Sequence, residues 1–137
     1  MTAISGQTTR PLSDSTDSLL RFAMRLDATL TGLMGLAVAA AADPISRLTG
    51  LTSGQEYSMG AFFVLYGLAV FSLAALPNLR RAGIGVIVAN IVYTFAAIIA
   101  AELVPMTGTG VAATLASGVY TAVFAGLQYL GVRRLAV

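Results

Sequence analysis

Four long apolar stretches occupy almost all of this chain, and arginines punctuate alternate joints between them. No other feature restricts the fold so tightly. A hydrocarbon core of about 30 Å calls for about 20 consecutive apolar residues in helical form, since each residue of helix advances about 1.5 Å. The stretches fall near residues 17–42, 55–76, 82–103 and 111–132. Backbone amides inside lipid must be paired within the segment, which makes helices the solution at this length. The sequence therefore predicts an all-α fold, a transmembrane four-helix bundle over residues 17–134.

The charge content agrees. Only 10% of the 137 residues are charged, whereas a soluble domain carries about 25%. Residues 1–16 are polar and rich in Ser and Thr. They contain no apolar run, so they read as a disordered cytoplasmic tail and not as a signal peptide. Asp14 or Ser15 is placed to cap the first helix.

The absences exclude chemistry. The chain has no Cys and no His. Thiol–disulfide exchange and a Cys nucleophile are out, as are His-ligated haem and the usual zinc sites. No phosphate loop, Ser–His pair or pair of catalytic carboxylates is present. The expectation is a protein that is not an enzyme and has no cofactor or metal. The net charge of +2 comes from arginines spread over helix ends, which is no footprint for nucleic acid.

Those arginines orient the chain. Arg10, Arg21, Arg25, Arg80, Arg81, Arg133 and Arg134 fall on one side of the spans. Arg47 falls on the other, beside Asp43 and Glu56. The positive-inside bias then puts both termini in the cytoplasm, with Arg21, Arg25, Arg80, Arg81, Arg133 and Arg134 setting topology. A split this uneven argues against small dual-topology transporters.

Between the first two spans, Asp43-Pro44 ends one helix and suits the start of another. Ile45, Leu48 and Leu51 recur at helical spacing, so residues 44–51 predict a short amphipathic helix on the membrane surface. Ser53 with Glu56 three positions later fits a capping box for the second span. Val70-Phe71 precedes Arg80-Arg81 by the spacing that separates Val123-Phe124 from Arg133-Arg134, an echo that suggests a duplicated two-helix unit.

Depth selects the polar residues that can meet. Counted inward from the arginines, Asp27, Ser72, Asn90 and Gln128 lie roughly 9–15 Å deep, each on a different span. A carboxylate at that depth must face the bundle interior. Asn90 and Gln128 can donate to it, and Arg25 or an arginine ending a neighbouring helix could pair with it. One reading makes this layer interhelical glue. The other makes it a cytoplasm-facing site of a small transporter or channel. Tyr66 and Tyr93 are deep enough that their hydroxyls need partners, while Tyr57 and Tyr129 suit interface belts.

Small residues recur at four-residue steps. Asp27, Thr31, Gly35, Ala39 and Asp43 form one series, and Thr114, Gly118, Ala122 and Gly126 another. Such stripes permit close helix packing within the chain, with Gly35, Gly118, Ala122 and Gly126 as contact points. Gly32, Gly67 and Gly85 read similarly. The alternative is a seam for a homo-oligomer or a membrane-protein partner.

The run Leu20-Arg21-Phe22-Ala23-Met24-Arg25-Leu26-Asp27-Ala28, followed by Thr31-Gly32 and Gly35, resembles the opening of a group of small uncharacterised bacterial four-helix membrane proteins. Asn90 with Tyr93, and Leu127-Gln128-Tyr129 before Gly131 and Arg133-Arg134, are similar to its later marks. The layout is also loosely similar to DoxX-like proteins. The group more often carries Trp where this chain has Tyr93. The resemblance implies a bacterial cell (inner) membrane location and a shared polar layer of Asp27, Asn90 and Gln128. It implies no particular chemistry.

Overall fold

The computed structural model describes residues 16–136. The expected tail, with Asp14 and Ser15, lies outside the described residues save for Thr16. In chain order the helices are α1 (Ser18–Ala40), α2 (Ala42–Thr49), α3 (Ser53–Leu73), α4 (Arg80–Leu103) and α5 (Gly108–Arg133). α1, α3, α4 and α5 are each long and apolar enough to cross a membrane.

The break between α1 and α2 follows from Pro44. A continuous helix would need an N–H at position 44 to bond the Ala40 carbonyl, and proline has none. α1 ends with the Ala41 amide on Ala37, and α2 restarts at once with Pro44 in its first turn. α2 stops at Gly50, whose φ of +81° is a left-handed cap. Thr107 then fastens α2 from the far end of the chain. Its amide donates to the Thr49 carbonyl at 2.9 Å and its hydroxyl to the Leu48 carbonyl at 2.6 Å. The same hydroxyl accepts from the Gly110 amide at 3.1 Å, capping α5.

The capping box of α3 sits one residue earlier than the sequence pattern suggested. Thr52 accepts from the Gln55 amide at 3.0 Å, and Gln55 reaches back to the Thr52 amide at 2.9 Å. Ser53–Glu56 matches the same pattern, but Glu56 is buried elsewhere. It accepts from the Thr49 hydroxyl at 2.6 Å and so ties α3 to the end of α2.

α1 packs most closely on α3, and α4 on α5, with α1 joining the two pairs through α5. Small residues set these distances. A Cβ on Gly60 would fall 2.6 Å from the Ala39 amide nitrogen, and one on Gly67 would fall 2.6 Å from the Ala28 carbonyl. Gly35 meets Gly60 from the α1 side. At the arginine end Leu20 fills the space left by Gly83 and Gly131. α3 and α4, although consecutive, do not pack backbone to backbone. The rings of Phe63 and Tyr93 meet edge to face across that seam, their centroids 5.9 Å apart.

Two expectations change here. Gly118 packs on Ala97 and Thr94, but Gly126 meets nothing within 4 Å and Ala122 is exposed. The stripe runs straight down α5 in four-residue steps, and such a row drifts about 40° per step round a helix of 3.6 residues per turn. Its lower end leaves the α4 contact, and Gly85 is also open. The echo fails at residue level too. Val70 and Phe124 are buried while Phe71 and Val123 are exposed, so the matched pairs do not occupy equivalent positions.

The radial distribution of polarity is reversed from that of a soluble protein. Leu65, Phe95 and Leu103 are 65%, 62% and 77% exposed, while Asp27 and Gln128 are fully buried. A water-soluble domain of this size does not display such a shell. The chain is an integral membrane protein of four spans, with lipid as the solvent for its exterior.

A buried carboxylate layer as the candidate functional site

Asp27 occupies the middle of the arginine-side half of the bundle. Its Oδ2 accepts three hydrogen bonds, from Tyr66 Oη at 2.8 Å, Asn90 Nδ2 at 3.0 Å and Gln128 Nε2 at 2.8 Å. Its Oδ1 accepts from Thr31 Oγ1 at 3.0 Å. All four crossing helices supply a member. Both carboxylate oxygens are engaged.

The donors constrain one another. Asn90 spends its second amide proton on Gln128 Oε1 at 2.9 Å. Tyr66 also lies 3.3 Å from Asn90 Oδ1, but its single proton favours the shorter contact with Asp27. Because Thr31 donates to Asp27, the 2.8 Å contact between Thr31 and Tyr120 has Tyr120 as its donor. No buried side-chain nitrogen or oxygen among the described residues lacks a partner. A network in which every member has at least one partner favours one arrangement of helices, since leaving a member unpaired costs about 1–3 kcal/mol.

A second polar layer lies one turn farther from the arginines. Thr94 bonds the Asn90 carbonyl at 3.0 Å and the Thr121 hydroxyl at 2.7 Å. Tyr93 meets Ser117 at 3.0 Å. These contacts join α4 to α5 alone and lack a charge.

Of the residues selected by depth, Asp27, Asn90 and Gln128 meet, and Ser72 does not. Ser72 lies six positions beyond Tyr66, which turns it about 120° away from the face that Tyr66 presents. It is exposed, and its hydroxyl returns to the Leu68 carbonyl at 2.8 Å. Thr31, Tyr66 and Tyr120 complete the layer instead. Thr31 was legible as the residue one helical turn after Asp27, and Tyr66 as a hydroxyl too deep to go unpaired.

The arginines do not reach this layer. No arginine pairs with Asp27 among the described residues. Arg21 binds Asp17 at 2.7 Å and donates to the carbonyls of Ala74 and Leu76. It therefore closes the C-terminal end of α3, beyond any part in topology. Arg25, Arg80, Arg81, Arg133 and Arg134 are exposed.

Asp27, Asn90 and Gln128 are at most 2% exposed, while Thr31, Tyr66 and Tyr120 of the same layer are half-buried. Two open concavities lie elsewhere. A cleft of about 480 Å³ opens at the opposite rim beside Asp43, Ser53 and Tyr57. A shallow apolar groove of about 320 Å³ follows Ile91, Phe95, Ala122 and Gly126 on the outside of α4 and α5. No group of three or more acidic residues that could hold a metal occurs among the described residues.

No protein-family model, curated protein or solved structure matches the chain. The resemblance read from the sequence thus extends only to a small four-span membrane protein.

Proposed function

We propose that this chain is a non-enzymatic membrane protein, a structural, accessory or lipid-associated bundle whose two helix pairs are locked together by Asp27. The observation that supports this reading most is the burial of Asp27, which is fully enclosed and accepts from Thr31, Tyr66, Asn90 and Gln128. Among the described residues, no second carboxylate meets Asp27, whose partners are the hydroxyls of Thr31 and Tyr66 and the side-chain amides of Asn90 and Gln128. On the same reading the protein resides in a bacterial cell membrane with its arginine-rich rim and both termini in the cytoplasm, as the positive-inside bias favours.

A second reading keeps Asp27 as the cytoplasm-facing site of a small transporter or channel. The seam between α3 and α4 favours it, because side chains alone span that side of the layer. Opening there would bring Asp27 within reach of lipid or water.

One experiment separates the two. The chain has no cysteine, so Thr31→Cys places a single thiol beside the Asp27 carboxylate. In nanodiscs a small water-soluble thiol reagent should leave it unmodified until the protein is unfolded, while Arg47→Cys reacts at once. Prompt modification of Thr31→Cys in the folded protein contradicts the closed lock and favours the transporter reading.

A further inference from the structure

We propose that the arginine-bearing rim is a docking surface for anionic phospholipid headgroups. Arg25 on α1, Arg80 and Arg81 on α4, and Arg133 and Arg134 on α5 are all exposed. None of the five has a carboxylate partner among the described residues, whereas Arg21 is consumed by Asp17 and by the end of α3. The three helices converge at this end, because Leu20 of α1 fits against Gly83 of α4 and Gly131 of α5. The cations are therefore gathered on one rim.

Internal stability does not explain them. Arg80 and Arg81 open α4, whose first turn holds no acidic residue. Cations there oppose the helix dipole and weaken their own helix. The opposite rim differs, with Arg47 accompanied by Asp43, Glu56 and Glu102. The excess of positive charge lies on the arginine rim alone, and an anion from outside the chain can balance it.

The surroundings select a lipid over a free anion or an acidic protein. One turn inward from the arginines of α4 and α5 the surface is apolar and outward-facing, with Ile84 46% and Leu130 51% exposed. A phospholipid can set its phosphate on the guanidinium groups and its acyl chains on those side chains in one pose. The guanidinium fork suits phosphate oxygens, and its alkyl stem lies along the apolar wall. Tyr129, with Arg133 5.9 Å from its ring centre, adds an aromatic anchor at headgroup level.

The test uses the full-length protein in nanodiscs of mixed phosphatidylglycerol and phosphatidylcholine, with co-purified lipid counted after extraction. Phosphatidylglycerol should be enriched around the protein over its share of the bilayer. Changing Arg80, Arg81, Arg133 and Arg134 together to Gln should reduce that enrichment at least about five-fold, the factor associated with a single arginine near an anionic surface. The corresponding four-fold Lys variant should retain it, and Arg47→Gln should leave it unchanged. If the Gln variant does not fold, the Lys and Arg47 variants with wild-type protein still decide, because enrichment that is absent in wild type overturns the proposal. So does enrichment that persists undiminished in a folded Gln variant. Inorganic phosphate alone, added to protein in neutral detergent, should give no thermal stabilisation where phosphatidylglycerol does. Equal stabilisation by both overturns the assignment to lipid.

Discussion

The carboxylate of Asp27 on α1 and the side-chain amide of Gln128 on α5 lie 101 positions apart in the chain and 2.8 Å apart in space. Around that contact, Tyr66 of α3 and Asn90 of α4 complete a ring of donors. The layer connects the α1–α3 pair to the α4–α5 pair at a depth where water cannot substitute for a lost bond. A single interhelical hydrogen bond in a membrane protein is worth about 0.6 kcal/mol on average. The leverage of this set comes from sharing one carboxylate, so that removing Asp27 takes an acceptor from four side chains at once.

Glycine substitutions should distinguish the packed stripes from the open ones. Gly67→Leu and Gly131→Leu collide with the backbone of Ala28 and Leu20, where a flexible response is unavailable. Each should lower unfolding stability in detergent by at least about 1–3 kcal/mol, the usual penalty of overpacking. Gly126→Leu and Gly85→Leu meet open space and should be near neutral. Equal damage from all four would contradict the helix contacts described.

Arg21 and Arg25 should separate by role. Arg21→Gln abandons the carbonyls of Ala74 and Leu76 and the carboxylate of Asp17. It should cost about 1–3 kcal/mol, the scale of a charged hydrogen bond. Arg25→Gln should change stability little, being exposed. Thermal unfolding in a neutral detergent measures both.

Gly50 should tolerate no side chain. Its φ is +81°, and a Cβ there would lie 2.9 Å from the Thr107 amide nitrogen. Gly50→Ala should therefore loosen α2 from the start of α5 at a cost of at least about 1–2 kcal/mol, the strain of a left-handed alanine. Limited proteolysis should show faster cutting between α2 and α3.

Ser72→Ala should be silent and Thr31→Val should not. Ser72 bonds only its own helix, at the Leu68 carbonyl, while Thr31 bridges Asp27 and Tyr120. The expected loss for Thr31→Val is about 1 kcal/mol, the usual net worth of one hydrogen bond. Chemical unfolding of the two variants beside wild type checks the contrast.

These contrasts also mark how far the sequence reaches. Four spans were legible because lipid imposes length and apolarity on each one separately. Asp27, Asn90 and Gln128 could be grouped from the rise per residue alone. Ser72 shared their depth, but depth says nothing of direction round the helix, and packing against α1 decides which face of α3 turns inward. Thr52–Gln55 and Ser53–Glu56 satisfy the same capping pattern. The choice between them rests on Thr49, whose hydroxyl claims Glu56 only once α2 has folded back. Ala122 and Gly126 belong to a small-residue stripe as regular as that of α1, yet a four-residue row drifts round the helix and its lower end turns off the face that meets α4.

If Asp27 and Gln128 hold the two helix pairs together through a direct, buried bond, the two residues are energetically coupled. A double-mutant cycle measures it: wild type, Asp27→Ala, Gln128→Ala and the double variant, unfolded reversibly in the same detergent. The account predicts that the double variant loses less than the sum of the two single losses, with a coupling of about 1 kcal/mol or more. Losses that simply add would mean that the two residues stabilise the bundle independently, and the lock described here would not exist.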